Sequence, residues 1–227
     1  LIFLLKGSPC QWSITRKILK KKKLSELRLK INRYKYKFFC HVSHIPTKDN
    51  MPMIEGFAKF VHSQKSKDCV LVLLEYGLQN SIEITKKRLK DLGVEDNVLW
   101  LSKKSRKELM LLLDSIDFGF SEFDGLIWGG TGWEFLSKGV PFFHFIDMNS
   151  EDFEREFNTP MPSIINTNSS DEIYYHLIKF TENPHLYKKR GIEMKDWFEQ
   201  YGGIGLAKKW KNIILKIYQE KQSIESN

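Results

Sequence analysis

The segment from Gly125 to Phe145, GLIWGGTGWEFLSKGVPFFHF, combines residue types that could bind an anion. Glycines let the backbone approach a ligand closely, and Thr131 can cap a helix or donate a hydrogen bond. The residues after GGTG have helical periodicity, so the loop leads into a helix N-terminus, where free N–H groups attract phosphate. The chemistry is that of a phosphate site. A flexible turn with a capping threonine is the structural alternative.

Several common catalytic and cofactor-binding patterns are missing from the sequence. There is no Gly-x-Gly-x-x-Gly after the first predicted strand, no Gly-x4-Gly-Lys-Ser/Thr and no Gly-x-Ser-x-Gly. Dinucleotide oxidoreductases, P-loop NTPases and α/β-hydrolases are therefore disfavoured. The six histidines show no metal-ligand spacing, because His41 and His44 form an isolated pair beside one cysteine. We expect no metal site.

Short apolar runs alternate with helical patterns along the chain. The predicted buried strands are residues 35–42, 69–75, 97–101, 118–121, 141–145 and 162–165. The predicted helices between them are residues 51–63, 81–93, 105–115 and 129–139. Only helical patterns follow residue 168. This order predicts an α/β fold, a doubly wound parallel sheet with a helical carboxyl-terminal tail, in which ligands bind at the carboxyl ends of the strands.

The net charge of +8 is concentrated near the start of the sequence. Residues 1–40 contain twelve Lys and Arg and one acid, Glu26, so the rest of the chain is nearly neutral. The segment Arg16 to Lys30 predicts an amphipathic basic helix. A solvated helix face is the simpler interpretation, and a peripheral contact with anionic lipid is the second. Nucleic acid is the weakest partner class, because no aromatic residues alternate with these lysines.

Three unclustered cysteines indicate a reducing compartment, and no apolar run is long enough to span a membrane. We therefore expect a cytoplasmic protein, peripheral at the membrane if the basic helix binds lipid. The sequence begins with Leu1 inside an apolar run, and we interpret it as a piece of a longer protein.

Three segments, in order along the chain, read SHIPTKD after the first strand, KRLKDLGVEDNVLWL into the third, and LIWGGTGWEFLSKGVP after the fourth. Together they resemble the carboxyl-terminal, donor-binding lobe of GT-B glycosyltransferases of the large retaining group. That family has Ser-Arg-x-x-x-Lys-Gly at the first place and Glu-Gly-Phe-Gly-x4-Glu-Ala-x-Ala-x-Gly-x-Pro at the last. The resemblance covers roughly residues 30–220 and implies a Rossmann-like lobe that binds a nucleotide sugar.

The resemblance implies a binding site for the donor diphosphate. Lys48 matches the family lysine that neutralises the diphosphate, and His44 stands where the family has arginine. Gly129 matches the loop glycine, and Gly130 and Thr131 lie next to it as further diphosphate contacts.

The resemblance also implies contacts to the ribose and the sugar. Glu134 matches the second glutamate of the family motif, which accepts hydrogen bonds from the ribose hydroxyls. The first glutamate, which approaches the donor sugar, falls on Leu126 here. Glu122 and Asp124 lie in the same loop and are candidates to replace it, so no catalytic residue is assigned.

The activity implied by the resemblance is transfer of a glycosyl group from a nucleoside-diphosphate sugar to a glycan acceptor, which can be a polysaccharide, a lipid-linked glycan or a protein glycan. Retention of the anomeric configuration is implied as well. The nucleotide sugar is a co-substrate, and we expect no metal or other cofactor, since Lys48 and a helix N-terminus supply the positive charge. Acceptor residues would lie in a separate amino-terminal lobe, so we expect this chain alone to bind nucleotide weakly and to turn over nothing.

The predicted organisation has three parts. Residues 1–34 are a basic helical linker at the junction with that lobe, residues 35–168 are the nucleotide-sugar-binding core, and residues 169–227 are helices packed on it. Two alternative functions stay open: a GT-B-type nucleotide-sugar epimerase, and a non-catalytic module that binds nucleotide sugars.

Overall fold

The computed structural model describes residues 22–63, 68–127 and 129–225. In this part of the chain six strands form one parallel sheet with the order β3-β2-β1-β4-β5-β6. The strands are β1 Tyr36–Cys40, β2 Cys69–Glu75, β3 Val98–Ser102, β4 Phe118–Phe120, β5 Phe142–His144 and β6 Ile165–Asn166. Strand order runs outward from β1 in one direction and from β4 in the other. The prediction of a doubly wound sheet is therefore confirmed. The first five predicted strands form, and β6 overlaps the predicted segment 162–165 only at Ile165.

Helices connect and cover the strands. Their bounds are α1 residues 22–31, α2 Met51–Ser63, α3 Gln79–Asp91, α4 Arg106–Leu113, α5 Gly130–Lys138, α6 Ser150–Phe157, α7 Ser170–Glu182, α8 Pro184–Trp197 and α9 Ile204–Glu225. A 3₁₀ turn, Glu95–Asn97, precedes β3, and a π-helical turn, Phe198–Gly202, lies between α8 and α9. The predicted helical tail is confirmed, whereas the division of the chain into three parts stays a prediction.

The two faces of the sheet have separate apolar cores because side chains alternate along each strand. On one face, Phe38 and Leu71 pack in a cluster that also contains side chains of α2, α3 and α7. On the other face, Phe39 and Val72 pack in a cluster with side chains of α4, α5 and α6. Both faces of the central strands are buried, which explains why their sequences are continuous apolar runs.

The described part of the predicted basic helix supports its simpler interpretation. Ile31 is fully buried, and Leu24 and Leu27 pack partly buried against the same cluster as Phe39. These three apolar side chains therefore pack on the protein core, whereas Leu29, Lys22 and Lys23 are exposed. Residues 16–21 of the predicted segment lie outside the described residues. None of the helices in the described ranges has the length and apolar character needed to span a bilayer.

Helix α6 was not predicted from the sequence. Its eight residues, SEDFEREF, bury only Phe153, so the apolar periodicity is too short to detect. Its start signal was nevertheless present, because the Asn149 side chain accepts a hydrogen bond from the backbone N–H of Asp152.

Helix α8 packs closely on the end of α5, and this contact generates the first prediction. A Cβ atom added to Gly191 would lie 2.1 Å from the carbonyl oxygen of Gly139, the residue that caps α5 in the left-handed conformation. We expect Gly191→Ala to lower the free energy of unfolding by about 1–3 kcal/mol through overpacking. Urea denaturation measures this. Gly130→Ala is the matched control, because a Cβ there meets nothing within 4 Å. Equal stabilities of the two variants would contradict the prediction.

Candidate functional site

The candidate site lies where the carboxyl ends of β1 and β4 meet. These strands are neighbours in register, with Cys40 opposite Phe120, and the order of the sheet reverses between them. Two loops leave the sheet here: residues 41–50 lead toward α2, and residues 121–127 and Gly129 lead toward α5. This reversal is the usual position of a ligand in an open α/β sheet.

Lys48 and Gly129 come together at this point through Glu122. The Lys48 ammonium forms an ion pair with Glu122 Oε1, and Glu122 Oε2 accepts a hydrogen bond of 2.8 Å from the Gly129 N–H. Asp124 Oδ2 lies 3.9 Å from the Lys48 ammonium. The predicted cation, the predicted loop glycine and both candidate acids are therefore in one cluster.

The start of α5 is arranged to accept an anion. Gly129 is the N-cap, and no side chain in the described residues caps the helix from that position. The first N–H groups of any helix lack partners within the helix. Gly130 is exposed and Thr131 is half-buried, so these first residues are reachable from solvent. Phosphate fits such a terminus, because the N–H groups and the helix dipole both favour negative charge.

His144 holds the loop that carries both acids. The backbone N–H of Glu122 donates to His144 Nδ1 at 3.2 Å, and His144 Nε2 lies 2.9 Å from the carbonyl oxygen of Leu126. This pattern fits a neutral imidazole that accepts at one nitrogen and donates at the other. Burial lowers the pKa of His144 to about 4, and the nearby positive charge of Lys48 adds to this effect. Leu126, at the position of the family's first glutamate, is itself 67% exposed.

Glu134 lies on the first turns of α5 and has two partners that sequence reasoning missed. Its Oε2 is 2.7 Å from His41 Nε2, and its Oε1 is 3.2 Å from Arg106 Nε. The His41 ring stacks on Phe39 and meets the edge of Phe135, so it is fixed in the core. The Arg106 side chain, in contrast, is 77% exposed.

Position in the strand pattern could have indicated both partners. His41 directly follows β1, and Arg106 is the first residue of α4, which follows β3. Both places belong to the carboxyl edge of the sheet, where polar residues are candidates for a site.

His44 forms its hydrogen bonds with residues outside this cluster. Its ring is buried, and Nδ1 lies 3.2 Å from Thr85 Oγ1 of α3 and 3.4 Å from Asn50 Nδ2. The ring also packs on Trp100 of β3. Burial lowers the pKa of His44, which favours the neutral form. The structure thus brings Lys48, Gly129, Glu122 and Asp124 together, while hydrogen bonds of the His44 ring connect it to Thr85 of α3 and to Asn50, directly before α2.

Comparison with known proteins shows that this chain is similar in fold to several solved structures. No family model matches the chain, and no curated protein does. Solved structures do match. HepE from Anabaena matches at 14% identity with a TM-score of 0.66, and the match covers 86% of this chain and 52% of that chain. A glycosyltransferase from Rickettsia africae matches at 14% identity with a TM-score of 0.65, and the match covers 88% of this chain and 52% of that chain. The carboxyl-terminal domain of the group 1 glycosyl transferase LpcC from Francisella tularensis matches at 13% identity with a TM-score of 0.54. This match covers 74% of this chain and 86% of that chain.

These similarities confirm the predicted fold, the Rossmann-like carboxyl-terminal lobe of a GT-B structure. The chain spans about half the length of the first two proteins but most of the isolated LpcC domain. At identities this low, the similarity concerns the fold.

The neutral, buried His144 generates a prediction on pH. Its pKa is about 4 in the folded protein and 6.5 in the unfolded chain, so the unfolded chain binds the proton first. Stability that is present above pH 6.5 is therefore lost as the pH falls toward 4, by on the order of 3 kcal/mol from this residue. We expect His144→Gln to lose less stability than wild type between pH 7 and pH 4.5. Urea unfolding at both values measures the difference.

The control for this experiment is His185→Gln, which replaces an exposed histidine of α8. It should keep the pH dependence of wild type. An unchanged pH dependence in His144→Gln would show that this residue does not titrate as the structure indicates.

Proposed function

We propose that this chain is the donor-binding lobe of a glycosyltransferase and binds a nucleoside-diphosphate sugar at the carboxyl ends of β1 and β4. The observation that carries the proposal is the convergence of the Lys48 ammonium and the Gly129 N–H on one carboxylate. A cation and a helix N-terminus that share one anion have the arrangement that a diphosphate requires. His44 would contribute to this site only indirectly, because its hydrogen bonds connect it to α3 and Asn50.

Structures similar in fold hold such ligands. HepE from Anabaena has been solved with UDP and with UDP-glucose, and the pneumococcal O-GlcNAc transferase GtfA with UDP and GlcNAc. These facts concern those proteins, and they support the choice of a nucleotide sugar over other phosphate-containing ligands.

In the proposed reaction the residues of this lobe act on the leaving group. Lys48 and the first N–H groups of α5 would stabilise the negative charge that develops on the diphosphate as the glycosyl bond breaks. Glu134 would accept hydrogen bonds from the ribose hydroxyls, because an ionised carboxylate offers only acceptors. Asp124 lies at the Lys48 end of the site and would face the sugar. Glu122 would face the sugar only with its carboxylate turned away from Lys48 and Gly129.

The acceptor is part of the proposal as well. We infer that a glycan acceptor binds to a second lobe, since this chain covers about half of the HepE structure. Catalysis requires both reactants in one closed cleft, so the chain alone should bind donor without transferring sugar.

The diphosphate role of Lys48 predicts a loss of affinity on its removal. We expect the chain to bind at least one of UDP, ADP, GDP, CDP and dTDP in calorimetric titration, and Lys48→Met to weaken that binding. Hydrogen bonds to charged groups contribute about 1.5–3 kcal/mol, which corresponds to roughly a 10- to 100-fold weaker affinity.

Lys59→Met is the matched control, because Lys59 also belongs to the α2 region but pairs with Asp171. It should bind like wild type. If none of the five nucleotides binds at millimolar concentration, the proposed function is wrong.

The ribose role of Glu134 predicts a change in selectivity rather than a simple loss of affinity. Wild type should bind a ribonucleoside diphosphate more tightly than its 2′-deoxy analogue, because the analogue lacks a hydroxyl that would donate to Glu134. Glu134→Gln should reduce this difference by about tenfold, since the amide is a weaker acceptor than the carboxylate. The measurement is a pair of titrations for each protein. An identical ratio in both proteins would contradict the ribose assignment.

A further inference from the structure

The Glu122 carboxylate lies where the diphosphate of the proposed donor would have to bind. One of its oxygens pairs with the Lys48 ammonium, and the other accepts the Gly129 N–H. The side chain is 8% exposed, so this carboxylate is enclosed by the groups that it contacts. An internal anion therefore already satisfies the cation and the amide on which the proposed function depends.

The backbone of Glu122 is fixed, whereas its side chain can turn. The N–H donates to His144 Nδ1 at 3.2 Å, and the carbonyl oxygen accepts from the Phe145 N–H at 3.0 Å. Both bonds connect the backbone to β5 and its end. Departure of the carboxylate from Lys48 would require rotation about the side-chain bonds, which breaks neither of these backbone hydrogen bonds.

The space at Gly129 does not accommodate two anions. A Cβ atom added to Gly129 would lie 3.2 Å from Glu122 Oε1 and 3.3 Å from Oε2, so the carboxylate directly contacts this backbone. A phosphate oxygen that reached the same N–H would be within a few ångströms of the carboxylate. Like charges at that distance repel strongly in a partly buried site. Asp124 increases the repulsion, because it is a second negative charge close to Lys48.

We propose that Glu122 is an internal competitor that determines the affinity of the site for diphosphate, and that its carboxylate leaves Lys48 and Gly129 when a diphosphate binds. This inference rests on the proposed function. It makes Glu122 a residue that limits donor affinity. Without the Glu122 carboxylate, Lys48 and the start of α5 would bind diphosphate more tightly than wild type does.

The test is a titration of wild type and Glu122→Gln with three probes: UDP, inorganic pyrophosphate and uridine. Glutamine keeps the size of the side chain but removes the charge. We expect Glu122→Gln to bind UDP and pyrophosphate at least tenfold more tightly than wild type. Uridine has no phosphate, so its affinity should not change.

The control variant is Asp171→Asn, which removes one negative charge from an exposed carboxylate at the start of α7. It should bind all three probes like wild type. A similar gain in Asp171→Asn would overturn the inference, because the effect would then come from net charge and not from the contact with Lys48.

Two further outcomes separate this inference from the proposed function. If both proteins bind UDP and Glu122→Gln binds it equally or more weakly than wild type, the inference that Glu122 competes with diphosphate is wrong, and the proposed function stands. If neither protein binds pyrophosphate or any of the five nucleoside diphosphates, the proposed function is wrong, and the inference with it; if another of the five binds, it replaces UDP as the probe. Should Glu122→Gln not fold, Glu122→Ala gives the same test, because it also removes the carboxylate and should also tighten binding of UDP and pyrophosphate at least tenfold.

Discussion

The contact of Lys48 and Gly129 with the Glu122 carboxylate depends on the way the sheet is wound. Lys48 and Glu122 are 74 residues apart in sequence, and they meet because β1 and β4 are hydrogen-bonded neighbours at the centre of the sheet. The strand order reverses between these two strands, so their following loops diverge to opposite faces and leave a crevice between them. Apolar burial on both faces holds the pair together, since Phe38 and Phe39 are fully buried on opposite sides of β1. The positions of the charged groups in the site therefore depend on the hydrophobic core that holds β1 and β4 together.

Much of this arrangement could be predicted from the sequence, because the signals are local. Helix α2 has the predicted bounds, Met51–Ser63, and strand β2 has the predicted bounds, Cys69–Glu75. A parallel sheet buried on both faces produces continuous apolar runs, and these are easy to recognise. The order of the motifs then indicated that Lys48 and the loop at Gly129 belong to one site, and they do share a partner.

The remaining features depend on side-chain direction, which sequence position does not give. His44 and Lys48 are four residues apart, yet the His44 ring packs toward Thr85 of α3 and Lys48 reaches Glu122 of the loop after β4. The sequence shows His41 only as a histidine beside a cysteine. Its partner Glu134 lies 93 residues further along the chain. Helix α6 was missed because one buried phenylalanine gives no periodicity. Each of these features is determined by contacts between distant segments, and a single sequence contains no direct record of them.

The two partners of Glu134 are unequal, and this difference shows how the carboxylate could meet a ribose. The bond to His41 is buried at 2.7 Å, and its loss would leave a polar group without a partner in the core. The ion pair with Arg106 is longer, at 3.2 Å, and the Arg106 side chain is 77% exposed, so solvent screens this pair and weakens it. Under the proposed function, a ribose hydroxyl would therefore replace Arg106 at Oε1 with a small loss of stabilisation, while His41 keeps its contact with Oε2. In this arrangement His41 determines the orientation of the carboxylate, and Arg106 covers the oxygen that is left for a ligand.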